Sequence, residues 1–284
     1  MKKVIFAIVS ALVLATQMSP AKANDQRVIA IIDTAVDASK FDNIVYEVCF
    51  TLKTCPNGKN FMEGPGSASV SNFSVNGITH GSNLVSVSRY INTNIKIVFI
   101  RISDLNVYPK FSAMHTDGKS LERAIDWVSN NAEKYSIDAV SISQARTNFA
   151  DGTCPSSPAI ETSVKKLLDI KVPTFAGSGN DGFKNKIAWP SCVSGIYPVG
   201  AVGPNGLIAP YSNTTSQVKV LANGCPAYNG NTCVKILDYM GVMRAVSGTS
   251  VATPIAANKF VSSNMNIVQW TESLTKIDSY AVAK

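Results

Sequence analysis

Histidine is scarce in this chain, with two in 284 residues. Any chemistry that needs an imidazole base must therefore choose between His80 and His115. No CxxC pair or His-x-His cluster accompanies the six cysteines, which leaves a zinc site little to stand on. Lysines and arginines form no run interleaved with aromatics, so the electrostatic footprint of a nucleic-acid binder is missing. Beyond the N-terminal segment no stretch is long and apolar enough to span a membrane. Fixed-period repeats, low-complexity tracts and Pro/Ser-rich linkers are also absent, which removes repeat architectures and any obvious internal boundary. No acid-rich loop shows the spacing of a calcium site.

What is present begins with an address. "MKKVIFAIVSALVLATQMSPAKAN" carries two lysines, an apolar run from Val4 to Ala15, and small residues at Ala21 and Ala23 where a signal peptidase reads. The run is short for a membrane span and has the flanks of a secretory signal peptide, predicted over residues 1–23. Residues 24–284 then form one large domain with a substantial core, secreted or periplasmic and without membrane attachment after cleavage. Loss of Lys2, Lys3 and Lys22 takes the formal charge from +7 to +4, which reads as a solubility property. Six cysteines fit an oxidising compartment. Many pairings are possible; close spacing suggests Cys49 with Cys55 and Cys225 with Cys233, leaving Cys154 for Cys192.

Runs of β-branched residues recur along the chain: "RVIAIIDTAV" from Arg27, residues 94–103, 137–143, 172–179 and 195–203. Between them lie segments of helical spacing. Leu121, Ala124, Ile125, Val128 and Ala132 share a face behind a possible Ser120 cap; Ile160, Val164, Leu167 and Leu168 share another behind Ser157 and Pro158. Apolar strands alternating with amphipathic helices predict an α/β fold, a mostly parallel central sheet with helices on both faces. Residues 204–245, rich in Gly, Asn and Cys, read as loops and short antiparallel strands. Ligands of such sheets bind at the carboxyl ends of strands, where Asp33 and Asn180 fall.

"VSGTSVATPIAA", residues 246–257, places Ser250 at the start of an apolar segment. Ser250 could simply cap a helix. It could also be a nucleophile, which then needs a base, an orienting acid and an oxyanion donor elsewhere. Three stretches offer them: "IIDTAVD" with Asp33, "THGSNLV" with His80 and "AGSGNDG" with Asn180. His115, in "SAMHTDGKS" with no glycine after it, reads as a surface residue. Each of the four is unremarkable alone; together, in this order, they resemble the subtilisin-like serine proteases, whose motifs run D-[ST]-G, H-G-T-H-V, A-x-G-N and G-T-S-[MA]-A-x-P. The resemblance covers Val28 to about Lys259. Ala35 and Asn83 replace a usual glycine and a usual second histidine, and neither is a reacting group.

The resemblance implies a subtilisin-like fold and a secreted endopeptidase working through an acyl-enzyme, with a polypeptide substrate. Asp33, His80 and Ser250 would be its triad, and Asn180 with the Ser250 N–H its oxyanion donors. Ser143, Gln144 and Ala145, and Gly177, Ser178 and Gly179, would wall the first specificity pocket and pair with an extended peptide. Gln144 stands where an apolar residue is common and Ala145 where glycine is common. The family often binds calcium and often carries a folding propeptide. Here only "NDQR" separates the cleavage point from the first strand, so the expectation is no propeptide domain, with an inhibitor or folding partner taking its place or unaided folding. Two rivals remain: a catalytically silent relative that binds peptides, and an esterase, although the latter commonly uses G-x-S-x-G where residues 248–252 read G-T-S-V-A.

Overall fold

The computed structural model describes residues 26–52, 54–70, 79–107, 112–203, 205–225, 233, 235–237 and 242–283. The signal-peptide assignment, residues 1–23, lies outside them. Strand β1 (Val28–Asp33) is followed by a 3-10 turn at Ala38–Lys40, β2 (Ile44–Phe50) and β3 (Phe61–Glu63). Then come α1 (His80–Ile91), β4 (Lys96–Arg101), the hairpin β5 (Ser103–Val107) and β6 (Ser112–Thr116), and α2 (Gly118–Asn131). β7 (Ile137–Ile142), β8 (Asn148–Ala150), α3 (Pro158–Asp169), β9 (Thr174–Gly177), β10 (Lys186–Ala188), β11 (Ile196–Val202) and β12 (Val220–Asn223) continue the chain. It ends in β13 (Lys235–Leu237), β14 (Met243–Ala245), α4 (Thr249–Ser263), α5 (Ile267–Ser273), β15 (Thr275–Ile277) and β16 (Tyr280–Ala283).

Among the described residues, ten strands form one sheet in the order β15-β16-β12-β11-β9-β7-β1-β4-β2-β3. All pairings are parallel except at the two edges, β2 with β3 and β15 with β16. The five strands read from the sequence are present. Three parallel members were not read: β2, β12 and β16. β2 hides because Glu47 interrupts its apolar run; that carboxylate is buried, accepting from the Gly66 and Ala68 N–H groups. The segment 204–245, expected as loops and short antiparallel strands, contains the antiparallel hairpin β13–β14 and also the parallel strand β12.

β1 is buried on both faces, and its alternation assigns them. Ile29 and Ile31 pack with Leu84 and Val85 of α1 and Val251 and Ile255 of α4. Val28, Ala30 and Ile32 pack with Leu121 and Ile125 of α2 and Ile160 and Val164 of α3. By the same period of two, Asp33 faces the α1/α4 layer. The expected apolar faces of α2 and α3 are the buried ones. The expected Ser120 cap is not the cap of α2. The helix starts three residues earlier, at Gly118, because the Asp117 carboxylate accepts from the Lys119 and Ser120 N–H groups. At α3 the N-cap is Ser157 and Pro158 takes the first turn, though the Ser157 hydroxyl accepts from Trp189 Nε1 rather than from its own helix.

α4 is apolar nearly all round and buried from Val251 to Asn258, crossing β7, β9, β11 and β12 beneath the sheet. Cys49–Cys55, Cys154–Cys192 and Cys225–Cys233 are disulfide-bonded. No described helix is long and apolar enough to cross a membrane.

Candidate active site

The chain leaves β1 for β2 on one side, with β4 returning between them, and leaves β7 for β9 and β11 on the other, so the connections diverge at the β1/β7 crevice. Asp33 closes β1 there and Ser143 follows β7. Asp33 is fully buried. Its Oδ1 lies 2.7 Å from His80 Nδ1 and accepts the Thr34 N–H at 2.7 Å. Its Oδ2 accepts from Gln144 Nε2 at 3.1 Å. A carboxylate that only accepts fixes the tautomer: His80 carries its proton on Nδ1 and presents Nε2 as the acceptor. Burial by itself would raise the Asp33 carboxyl, but the His80 ring and the Thr34 and Gln144 N–H groups hold it below the usual carboxylate value. Burial by itself would lower His80, and the Asp33 charge and hydrogen bond carry it above the usual histidine value.

His80 is the first residue of α1, and close packing sets its position. A Cβ on Gly81 would stand 2.3 Å from the Ala35 carbonyl oxygen and 2.5 Å from the Phe99 ring. Only glycine lets the helix end sit that close to the loop after β1. The Gly81 N–H donates to Thr34 Oγ1 and the Ser82 hydroxyl accepts from the Asp37 N–H, pinning α1 to that loop. The His80 side chain remains 31% exposed.

Ser250 is the second residue of α4, behind Gly248 at φ 130°, a backbone region L-residues avoid. A Cβ on Gly248 would stand 2.9 Å from Ser250 Oγ and 3.5 Å from Asn180 Nδ2, so the hydroxyl and the amide converge on the same space. The Asn180 Oδ1 accepts from the Thr249 N–H at 2.8 Å and its hydroxyl at 2.9 Å. That assigns the amide and leaves Nδ2 as the end available for donation. Val251 and Ala252 turn their N–H groups to the Gly248 carbonyl, while the Ser250 N–H belongs to the first helical turn, which α-helix geometry leaves without an intrahelical acceptor.

Pro254 sits inside α4 and has no N–H to give the carbonyl four residues before it, that of Ser250. The Ser143 hydroxyl takes that place, donating to Ser250 O at 2.8 Å. Tyr211 holds the turn from the other side: its oxygen accepts the Gly248 N–H at 3.0 Å and its hydroxyl faces the Gly224 and Cys225 carbonyls. Burial pushes this phenol up to about 12, so it keeps the proton it donates. Asn213, fully buried, braces the loop of Asn180: Oδ1 accepts from the Asp181 and Phe183 N–H groups, and Nδ2 donates to Asn148 Oδ1 and Ser178 O.

The segments expected to contact substrate are distributed as follows. Ala145 is exposed, while Ser143 and Gln144 turn their side chains inward. Gly177 packs on Thr249 and Thr253 of α4. Ser178 is buried, its hydroxyl on Asn213 O, and its N–H and carbonyl are engaged by Val199 and Ala188. The Gly179 N–H reaches Thr249 Oγ1. His115 is exposed on β6, in register with Asp104, away from the Asp33 pair. Among the described residues no three His, Cys, Asp or Glu come together as a metal site. Sequence reasoning missed the roles of Gln144, Tyr211 and Asn213. For Gln144 a signal existed, a polar residue where an apolar one is common; Tyr211 and Asn213 act across the fold and left none.

The model of the subtilase family matches residues 24–273. A thermostable alkaline protease of Halalkalibacterium halodurans is 24% identical over 183 residues, 63% of this chain and 45% of that protein. Subtilisin E of Bacillus subtilis is 25% identical over 236 residues, 81% of this chain and 53% of that protein. The chain thus spans about half the length of the curated relatives it matches. The nisin leader peptidase of Lactococcus lactis has the same fold at TM-score 0.64 and 14% identity, covering 91% of this chain and 85% of that one. A protease of Pseudoalteromonas arctica does so at TM-score 0.67 and 17% identity, covering 90% and 85%.

Proposed function

The chain belongs to the subtilase family, and from that premise we propose that it is an exported serine endopeptidase that cleaves polypeptides through an acyl-enzyme. The observation that carries the reading is the Asp33–His80 pair at 2.7 Å at the carboxyl end of β1, on the same face as α4 with Ser250 at its head. In this reading His80 Nε2 takes the Ser250 hydroxyl proton as Oγ attacks the substrate carbonyl. Asp33 holds the ring in the tautomer that can accept it and stabilises the imidazolium that forms. Asn180 Nδ2 and the Ser250 N–H, preset by Thr249 and by the helix start, donate to the oxyanion of the tetrahedral intermediate. His80 then returns the proton to the leaving amine, and the same base activates water to release the acyl group.

The three disulfides support an oxidising compartment, in keeping with export. The test is a fluorophosphonate probe with casein hydrolysis. Wild-type protein is expected to label at Ser250 and to digest casein, and folded Ser250→Ala to do neither; turnover by that variant at the wild-type rate would overturn the assignment.

A further inference from the structure

Gln144 stands where contact with substrate was expected, yet its amide lies among the acid–base pair. Nε2 is 3.1 Å from Asp33 Oδ2 and 3.4 Å from His80 Nδ1. The second contact is not a hydrogen bond in the resting tautomer, because Nδ1 carries the proton it gives to Asp33. It places the positive end of an amide dipole beside the ring that must become an imidazolium. The amide cannot turn over to relieve this. Its Oε1 accepts from Thr116 Oγ1 at 3.2 Å, and that hydroxyl is in turn 2.6 Å from Ser103 Oγ. The hairpin β5–β6 thus fixes which end of Gln144 faces Asp33.

The geometry points to Gln144 as a positioning residue of the catalytic pair, one that locks the Asp33 carboxylate and reduces the proton affinity of His80. Two effects act in the same direction. Donation to Oδ2 draws off part of the charge Asp33 would offer the imidazolium, and the amide N–H end repels that imidazolium directly. Asp33 raises His80, and in this proposal the Gln144 amide trims that rise, so that more of the ring is in the accepting form near neutrality.

Other charges around the pair are committed elsewhere. From β4, Arg101 is the register partner of Asp33, but its guanidinium is held by the Ser69 and Ser103 carbonyls and the Thr54 hydroxyl beside Asp104. From β5, Asp104 accepts from the Leu52 N–H and the Thr54 hydroxyl, and from β6 His115 is exposed. From β7, Asp138 lies at the far end, on the Val28 N–H. On α1, Arg89 sits in the last turn with Asp42, and on α4, Lys259 lies near the opposite end from Ser250. Asp33 is the charge that acts on the ring.

This inference rests on the protease reading, and the experiment separates the two. Gln144→Met keeps length and volume but removes the donor. The pH profile of kcat/KM on a peptide substrate is expected to move its acid limb to higher pH, with about a threefold loss on the acid side. KM is expected to change less than kcat, which separates positioning of the pair from contact with substrate. The low-field NMR signal of the proton shared by Asp33 and His80 is expected to titrate at correspondingly higher pH, a readout that needs no turnover. Thr116→Val, which frees Oε1, is expected to shift both in the same direction by less, and it decides the matter if Gln144→Met does not fold. An unmoved acid limb and NMR titration with a raised KM would overturn the proposal and return Gln144 to substrate contact. If wild-type protein neither hydrolyses peptides nor takes the probe at Ser250, the protease reading fails, while the NMR titration still tests the coupling of Gln144 to His80.

Discussion

Two histidines and one carboxylate make the residue-scale argument sharp. Because Asp33 raises His80, the acid limb of kcat/KM is expected above the ordinary histidine value of 6.5 rather than below it. His80→Ala is expected to remove this limb with most of the rate, leaving the residue that oxyanion donors and substrate positioning supply. His115→Ala is expected to change neither, since its side chain stands exposed on β6; steady-state kinetics from pH 5 to 10 (about that span) distinguish the two. The pair also links pH to stability. The His80 contribution, from a raised value, is complete below about 6.5 and is lost as pH climbs through the folded value. The Asp33 contribution, from a lowered value, is complete above its ordinary 3.8 and is lost as pH falls through the folded value. The candidate residues Asp33, His80, Asn180 and Ser250 could be picked from the sequence because each sits in a short motif. The braces were not: Gln144 is 111 residues from Asp33 along the chain, and Asn213 is 65 from Asn148.

Among the elements, α4 carries the most consequence. Its proline deletes one helical hydrogen bond and a serine from β7's end restores the acceptor's partner. Ser143→Ala is therefore expected to destabilise the protein by about 1–2 kcal/mol, the cost of a carbonyl left without its donor. In a Pro254→Ala background, where residue 254 regains an N–H for the Ser250 carbonyl, the same substitution is expected to cost less; a double-mutant cycle by urea denaturation measures the difference. Equal costs in both backgrounds would break the link. Element recognition from sequence followed apolar continuity. β1 and β4 are unbroken apolar runs and were read. β2 was not, because its buried Glu47 is satisfied by two backbone N–H groups from the loop after β3, a partnership local pattern cannot reveal. The α2 start was misplaced for a related reason, two equally good caps three residues apart, of which Asp117 reaches the helix N–H groups.

For the whole molecule, the disulfides differ in what they constrain. Cys154–Cys192 spans a sequence separation of 38, against 6 and 8 for the other two. Chain-entropy reasoning assigns it the largest share, about 3–4 kcal/mol. The pair Cys154→Ser with Cys192→Ser is expected to lower stability more than Cys49→Ser with Cys55→Ser, read from urea midpoints. The pairing itself was legible from spacing, and the sheet class from strand–helix alternation; the edge additions β3, β15 and β16 were too short to announce themselves.

The helix that bears Ser250 runs through the most densely filled part of the interior, touching the sheet along its length. In the proposed role of nucleophile, Ser250 is carried by a helix whose release means opening the centre of the domain. For the endopeptidase proposed above, this would set the rate of self-consumption: each copy becomes prey for its neighbours only in the small fraction of time it is globally open.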